Sequence, residues 1–410
     1  MRSRRFLAIV LIIAILIDVY VFQGIKTITQ GVLPRTRTAI FIAYWGLSVL
    51  ALAAFVLLPY FRLHYTRASG YIIAVVLGLY IAKLLAAVFL LLDDIRRLVQ
   101  WAVTRAGSAA APATGPGIPR SVFLSWLGLG LGSGILGALV YGFSNKYNYK
   151  LHRVRLAYEN LPAAFKGLKI VQLSDIHSGS LANPEAVSHG IDRVLAEKPD
   201  LILFTGDLVN DYAHEVGQYQ AIFSRLKAPM GVFSTLGNHD YGDYAGWESV
   251  EAKKANLDRL KAIQQEMGWR LLMNEHVALE RDGAQIALIG IENWSAKARF
   301  PKYGRMDLAY PGTEKYPFKI LMSHDPSHWD AEVRPKYPDI DLMLAGHTHG
   351  MQFGVELPGL KWSPVQFLYR QWAGLYEEGR QRLYVNRGYG FIGYPGRFGI
   401  LPEITLIELV

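Results

Sequence analysis

Leu168-Lys169-Ile170-Val171-Gln172-Leu173-Ser174-Asp175-Ile176-His177 decides the fold class, because an apolar run of strand length ends in a carboxylate and an imidazole two residues apart. The pattern returns four times along the chain. Leu201-Ile-Leu-Phe204 leads into Thr205-Gly206-Asp207, and Gly231-Val-Phe-Ser-Thr-Leu236 leads into Gly237-Asn238-His239-Asp240. Ile320-Leu-Met322 leads into Ser323-His324-Asp325, and Leu342-Met-Leu344 into Ala345-Gly346-His347-Thr348-His349. Between the first two runs, residues 184–198 place Val187, Ile191, Val194 and Leu195 on one helical face, and residues 248–267 repeat the helical period through Leu257, Leu260 and Ile263. Strands alternating with helices predict an α/β architecture, with polar residues at the carboxyl ends of the strands where such sheets build their sites.

These strand ends carry Asp175, His177, Asp207, Asn238, His239, His324, His347 and His349. In extended backbone, residues i and i+2 point the same way, so Asp175 and His177 are expected to share one centre, and His347 and His349 likewise. Imidazole and carboxylate ligands without sulfur suit Mn, Fe or Zn at a hydrolytic centre. The number of ligands exceeds what one ion needs, so two divalent ions sharing a bridging carboxylate is the economical expectation. A lone Asp-x-His is most often a loop hydrogen-bond pair and a lone Gly-Asp a turn; the ordered conjunction of five strand ends is what points to metal chemistry. Six other histidines, His64, His152, His189, His214, His276 and His328, lack that strand-end context and are expected to serve packing or the surface. Residues 294–316 and 351–372 are aromatic loops that read equally as packing and as a groove for an acyl or glycosyl group.

The set Asp175-Ile-His177, Gly206-Asp207-Leu-Val-Asn210, Gly237-Asn-His-Asp240, His324 and Gly346-His-Thr-His349 resembles the calcineurin-like metallophosphoesterase superfamily. The resemblance implies a four-layer β-sandwich of two mixed sheets flanked by helices, and two bound divalent metals. It implies that Asp175, His177 and His349 hold the first metal, that Asp207 bridges, and that Asn238, His324 and His347 hold the second. His239 is then the acid near the leaving group. The family often has an acid at the position of Asn210, so Asp211 or Asp240 is expected to orient His239 instead. Residues 386–408 resemble the tail of a bacterial membrane-associated branch that includes phosphodiesterases and relatives of UDP-2,3-diacylglucosamine pyrophosphatases, although Gly350-Met351-Gln352 departs from that branch's Gly-Gly-Gln. Phosphodiester or pyrophosphate hydrolysis, with a lipid or envelope precursor among the candidate substrates, is the implied activity. A catalytically silent metal-binding sensor or scaffold is the alternative.

The chain has 410 residues and no cysteine, which excludes disulfide scaffolds, thiolate metal sites and cysteine nucleophiles. Its charge is segregated. Residues 1–143 carry 13 Lys/Arg against Asp18, Asp93 and Asp94, whereas the remainder carries 30 against 31 acids. A basic excess confined to apolar surroundings points to membrane flanks and lipid headgroups rather than nucleic acid. Four apolar stretches, 6–22, 39–60, 71–92 and 122–143, are long enough to cross a bilayer. The first lacks a small-residue cleavage site and is read as an uncleaved helix. Asp18 is expected near a helix end and Lys83 to snorkel, neither having a partner network. Residues 106–119 read as a flexible Ala/Pro/Gly/Ser/Thr linker. The organisation expected is a transmembrane region, 1–145, and a hydrolase domain, 146–410, of an integral protein of a bacterial inner membrane. Bases divide nine to seven between the two sides, which assigns no side to the domain. No particular oligomeric state is implied.

Overall fold

The computed structural model describes residues 2–64, 66–107 and 120–410, and divides into two compact units, Met1–Tyr141 and Gly142–Val410. The first unit is helical: α1 (Arg2–Ile28), α2 (Pro34–His64), α3 (Thr66–Gly107) and α4 (Val122–Gly142). Each contains a stretch long and apolar enough to cross a membrane, at Leu7–Ile28, Pro34–Leu58, Ala68–Arg105 and Val122–Gly142. Large apolar side chains such as Leu16, Ile42, Leu50 and Phe123 are exposed on these helices, as lipid-facing residues are. The linker expected at 106–119 lies outside the described residues from position 108 onward.

Two expectations fail in this unit. The third apolar helix does not stop at Leu92 but runs on to Gly107. The charges that follow Leu92 are paired along the helix, Arg96 with Asp93 at 2.8 Å and Arg97 with Asp94 at 2.9 Å, each at i,i+3 spacing. Nor do Asp18 and Lys83 stand apart. Lys83 Nζ donates to Asp18 Oδ1 and to Ser48 Oγ (2.8 Å), while Ser48 and Tyr80 donate to the same carboxylate at 3.1 Å each. Tyr44 donates to the Asp18 carbonyl at 2.7 Å, and the ammonium lies 5.0 and 5.1 Å from the Tyr44 and Tyr80 ring centres. Both charges are buried. The side chains of α1, α2 and α3 thus satisfy each other, a partnership 65 residues apart that local reading does not reach.

The second unit holds strands β1 (Lys150–Leu156), β2 (Leu168–Leu173), β3 (Leu201–Phe204), β4 (Val232–Ser234), β5 (Arg270–Leu271), β6 (Glu275–Arg281), β7 (Ala284–Gly290), β8 (Lys319–Met322), β9 (Leu342–Ala345), β10 (Val355–Leu357), β11 (Leu360–Trp362), β12 (Gly374–Glu378), β13 (Gln381–Val385) and β14 (Glu403–Leu409). One six-stranded sheet has the order β1-β14-β2-β3-β4-β5 and the other β12-β13-β9-β8-β7-β6, with β10–β11 a separate hairpin. Both are mixed: β2, β3, β4 and β5 run parallel, as do β7, β8, β9 and β13, while β14 meets β2 and β6 meets β7 antiparallel.

Period two explains the layers. Leu201 and Leu203 face the core between the sheets, together with Ile320, Met322, Leu342 and Leu344 of the opposite sheet. Ile202 and Phe204 point the other way, into a second core with Val187, Ile191 and Val194 of α5 (Pro184–Ala196), Phe223 of α6 (Gln220–Phe223) and Leu260 and Ile263 of α7 (Val250–Glu266). Leu321, Met343 and Ala345 pack outward with Trp329 and Val333. Covered on both faces, the central strands are continuous apolar runs rather than alternating ones. Each fully buried Leu or Phe contributes ~1.5–3 kcal/mol, which holds the strand ends in place. Asn183 and Ser249 cap α5 and α7 by accepting from Ala186 N (3.1 Å) and Ala252 N (3.0 Å).

Candidate metal centre and its family

The carboxyl ends of β2, β3, β8 and β9 and the turn after β4 converge, and bring together every residue singled out in the sequence. Asp175, His177 and His349 form one group of potential ligand atoms, and Asp207, His324 and His347 a second, each within 4.8 Å. Asn238 joins the second, its Oδ1 lying 2.7 Å from His347 Nδ1. His349 Nε2 is 3.2 Å from Asp175 Oδ1 and 3.0 Å from His177 Nε2. Asp207 Oδ2 lies between the groups, 3.1 Å from His324 Nε2 and 3.6 Å from His177 Nε2.

The backbone reason differs from the one expected. Asp175 (φ 53°), His177 (50°), Asp207 (60°), His347 (72°) and His349 (51°) are all left-handed, not extended. Such residues cost of order 1–3 kcal/mol each and persist where surrounding structure determines them. The i,i+2 argument therefore fails for His347 and His349, which enter different groups. Asp175 and His177 do share a group, through a turn rather than a strand. Asp175 also accepts His347 N–H at 3.0 Å, which ties the two turns together.

The donor set fits divalent cations. His177 Nε2 and His349 Nε2 face each other, and among the described residues His177 Nδ1 is buried without a hydrogen-bond partner. More lone pairs converge than there are protons to share, which is what a cation relieves. Burial opposes protonation of His324, yet the Asp207 carboxylate outweighs it and raises this imidazole to about 10. Burial likewise disfavours the charged Asp175, and His349 beside it reverses the sign and lowers its pKa.

His239 belongs to neither group, although its ring centre lies 5.0 Å from that of His177. Its backbone N–H donates to Asp207 Oδ1 at 2.8 Å, and its Nδ1 is 2.7 Å from the Asn210 carbonyl. A carbonyl only accepts, so Nδ1 carries the proton. The expected orienting carboxylates do not do this. Asp240, raised to about 7 by burial and the adjacent Asp207, accepts instead from the amides of Asp207 (2.8 Å), Leu208 (2.8 Å), Val209 (3.3 Å) and Gly237 (2.9 Å). Asp211 Oδ1 is buried without a hydrogen-bond partner among the described residues, and the orienting group is the main chain of Asn210.

Two supporting residues escaped the sequence reading. Asp325 Oδ2 and the Tyr369 hydroxyl lie 3.4 and 2.9 Å from His347 Nε2, and Tyr369 donates to Asp325 at 3.2 Å. Arg397 is fully buried, donates to the carbonyls of Arg387 (2.7 Å) and Gly390, and places Nη2 3.2 Å from His349 Nδ1. Burial lowers its pKa to about 9. Asp325 had one signal, its place directly after His324 on a strand end. Arg397 falls within the 386–408 stretch noted for its resemblance, but nothing local tied it to an imidazole 48 residues away. Of the six histidines set aside, His328 is buried against Trp294 and between Ser323 (3.0 Å) and Glu332 (3.3 Å). His276 meets the Ala309 carbonyl at 2.9 Å and His214 stacks on Tyr212. The side chain of His64 lies outside the described residues.

The family described as "Calcineurin-like phosphoesterase" matches residues 168–351, and that described as "Probable Calcineurin-like phosphoesterase, transmembrane domain" matches residues 3–146. The uncharacterized metallophosphoesterase YkuE of Bacillus subtilis is 31% identical over 261 residues, covering 61% of this chain and 81% of that protein. The chain belongs to the calcineurin-like metallophosphoesterases. Phosphodiesterase YaeI of Escherichia coli is 31% identical over 266 residues, covering 64% of this chain and 88% of that protein. A Danio rerio transmembrane protein with metallophosphoesterase domain is 30% identical over 280 residues, covering 66% of this chain but only 60% of that protein. This metallophosphoesterase is accordingly a hydrolase of phosphoric esters and a membrane protein, of a family that uses divalent metals.

A pocket opens at the metal centre of this phosphoesterase. It is lined by His177, Asp207, Asn238, His239, His347 and His349 together with Arg299, Phe300, Met351, Leu368, Tyr369 and Ile392.

Proposed function

We propose that this protein is a membrane-anchored, dinuclear metal-dependent phosphodiesterase, acting on phosphodiester or pyrophosphate bonds of a lipid or envelope precursor at a bacterial inner membrane. The observation that carries the dinuclear reading is Asp207 Oδ2, within 3.1 Å of His324 in one group and 3.6 Å of His177 in the other. Asp175, His177 and His349 would hold one ion, Asn238, His324 and His347 the second, and Asp207 both. A pair of divalent ions at such a site supplies Lewis-acid polarisation of a phosphoryl group and lowers the pKa of water.

The chain's own residues supply the rest. His239 lines the pocket with its Nδ1–H held by the Asn210 carbonyl, so that as the imidazolium it presents Nε2–H to deliver a proton to the departing oxygen. Arg299 in the pocket lining offers a cation to an anionic phosphate. Asp325 and Tyr369 hold the far nitrogen of His347 and leave Nδ1 facing Asn238.

Purified protein assayed with Mn²⁺ and bis-p-nitrophenyl phosphate, alongside metal analysis, tests this reading. Native protein is expected to bind about two metal equivalents and to hydrolyse the diester. Asp207→Asn is expected to lose metal and activity together; a fully active Asp207→Asn overturns the shared-carboxylate arrangement. Full metal content with no hydrolysis of any phosphoester would favour the sensor or scaffold instead.

A further inference from the structure

From the pocket residue Leu368 back along the chain runs a set of exposed apolar side chains that the reaction does not use. Phe367 is 78% exposed and Leu357 61%, with Leu360, Trp362 and Leu368 exposed beside them, all within residues 357–368. These side chains are held out on a fixed platform. Val365, Tyr369, Trp372, Ala373 and Ile400 form a buried cluster beneath, and Arg387 ties Glu356 of the β10–β11 hairpin to Glu403 of β14. Exposed apolar residues gathered beside a pocket mark a contact surface, since folded proteins otherwise bury them.

Charge and connectivity say what covers it. Lys297, Arg299 and Lys302 are exposed, Arg299 lining the pocket itself and Lys297 Nζ lying 5.3 Å from the Tyr369 ring centre. An exposed apolar surface carrying aromatics, with basic residues close by, complements the boundary between acyl chains and anionic headgroups. The chain also enters this unit against a loop that reaches the pocket. Arg397 N donates to the Gly142 carbonyl at 2.9 Å, Phe143 packs on Tyr394 with ring centres 5.7 Å apart, and Lys146 lies 5.8 Å from the Phe391 ring. The loop these residues pack on, 391–397, contributes Ile392 to the pocket wall. Residues 142–146 follow directly on an apolar, membrane-length helix.

We propose that residues 351–368 form an interfacial surface that seats on an anionic lipid bilayer, so that the pocket takes phosphoesters resident in that bilayer. The substrate class rests on the phosphodiesterase reading; the seating does not.

The absence of native cysteine allows single labels on the full chain. Leu360→Cys and Phe367→Cys, each carrying an environment-sensitive bimane, would be reconstituted in vesicles of phosphatidylethanolamine and phosphatidylglycerol. Lys254→Cys on α7 serves as the reference. Labels at 360 and 367 are expected to shift to the blue and to be quenched by lipids bearing a nitroxide near the headgroup, with the label at 254 unaffected. Labels at 360 and 367 that respond no more than the label at 254 overturn the proposal. So does disulfide crosslinking of two chains through Phe367→Cys without lipid quenching, which would put a second copy there. In a second arm, the Leu360→Asp/Phe367→Asp double variant is expected to lower the ratio of turnover on a vesicle-embedded diester to turnover on bis-p-nitrophenyl phosphate by about tenfold or more, the loss of one apolar anchor being worth that much. An unchanged ratio overturns the proposal. Quenching at 360 and 367 in a native protein that hydrolyses neither ester leaves the seating in place and rejects the reaction instead.

Discussion

His239 and Asn238 are sequence neighbours with separate tasks: Asn238 Oδ1 faces His347, while His239 is turned away and held by the Asn210 carbonyl. His239→Ala is expected to keep both metals and to lower turnover by about 10²–10⁴-fold, the usual worth of a positioned proton donor. The loss should be largest for esters of poor leaving groups and small for p-nitrophenyl esters, whose leaving group departs unaided. A leaving-group series with metal analysis checks this; metal loss, or an equal defect on all substrates, would count against the role. The residue scale is also where sequence reading slipped. Left-handed φ at His347 and His349 is invisible in a His-x-His string, because local propensity disfavours it and only the packed turn sustains it.

At the element scale, short buried strands act as rigid stems for the site, and three helices of the other unit are joined by one ion pair. Asp18 sits on α1, Ser48 and Tyr44 on α2, and Lys83 and Tyr80 on α3. Removing one partner of a buried pair leaves an uncompensated charge, which costs about 3–5 kcal/mol, whereas replacing both by apolar residues of similar size is often neutral. Lys83→Met is therefore expected to lower the melting temperature in detergent by several degrees. The Asp18→Leu/Lys83→Met double variant should recover most of that loss. Additive losses in thermal melts of the four proteins would show that the two charges do not stabilise each other.

On the scale of the whole molecule, every proposed ligand and the buried cores between and outside the two sheets lie within Gly142–Val410. A fragment spanning 142–410 is expected to fold and to hydrolyse a soluble diester. Starting it at 142 retains the Gly142 carbonyl that Arg397 N uses and Phe143 beside Tyr394. Circular dichroism and bis-p-nitrophenyl phosphate turnover, compared with the full chain, check this. A folded but inactive fragment would mean that the helices contribute to the reaction.

Much of this was legible in the chain itself. Apolar runs ending in Asp, His and Asn announce buried strands with a polar site at their tips, because burial on both faces erases alternation and leaves the strand end as the place for charge. Four long apolar stretches announce membrane helices by length alone. What tertiary structure decided is of another kind: that His347 and His349 part company, that a backbone carbonyl rather than a carboxylate orients His239, that Arg397 and Asp325 stand behind the ligands, and that Asp18 meets Lys83. Each depends on a left-handed turn or on a contact between distant residues, and such contacts arise only when packing brings together segments that share no local signal.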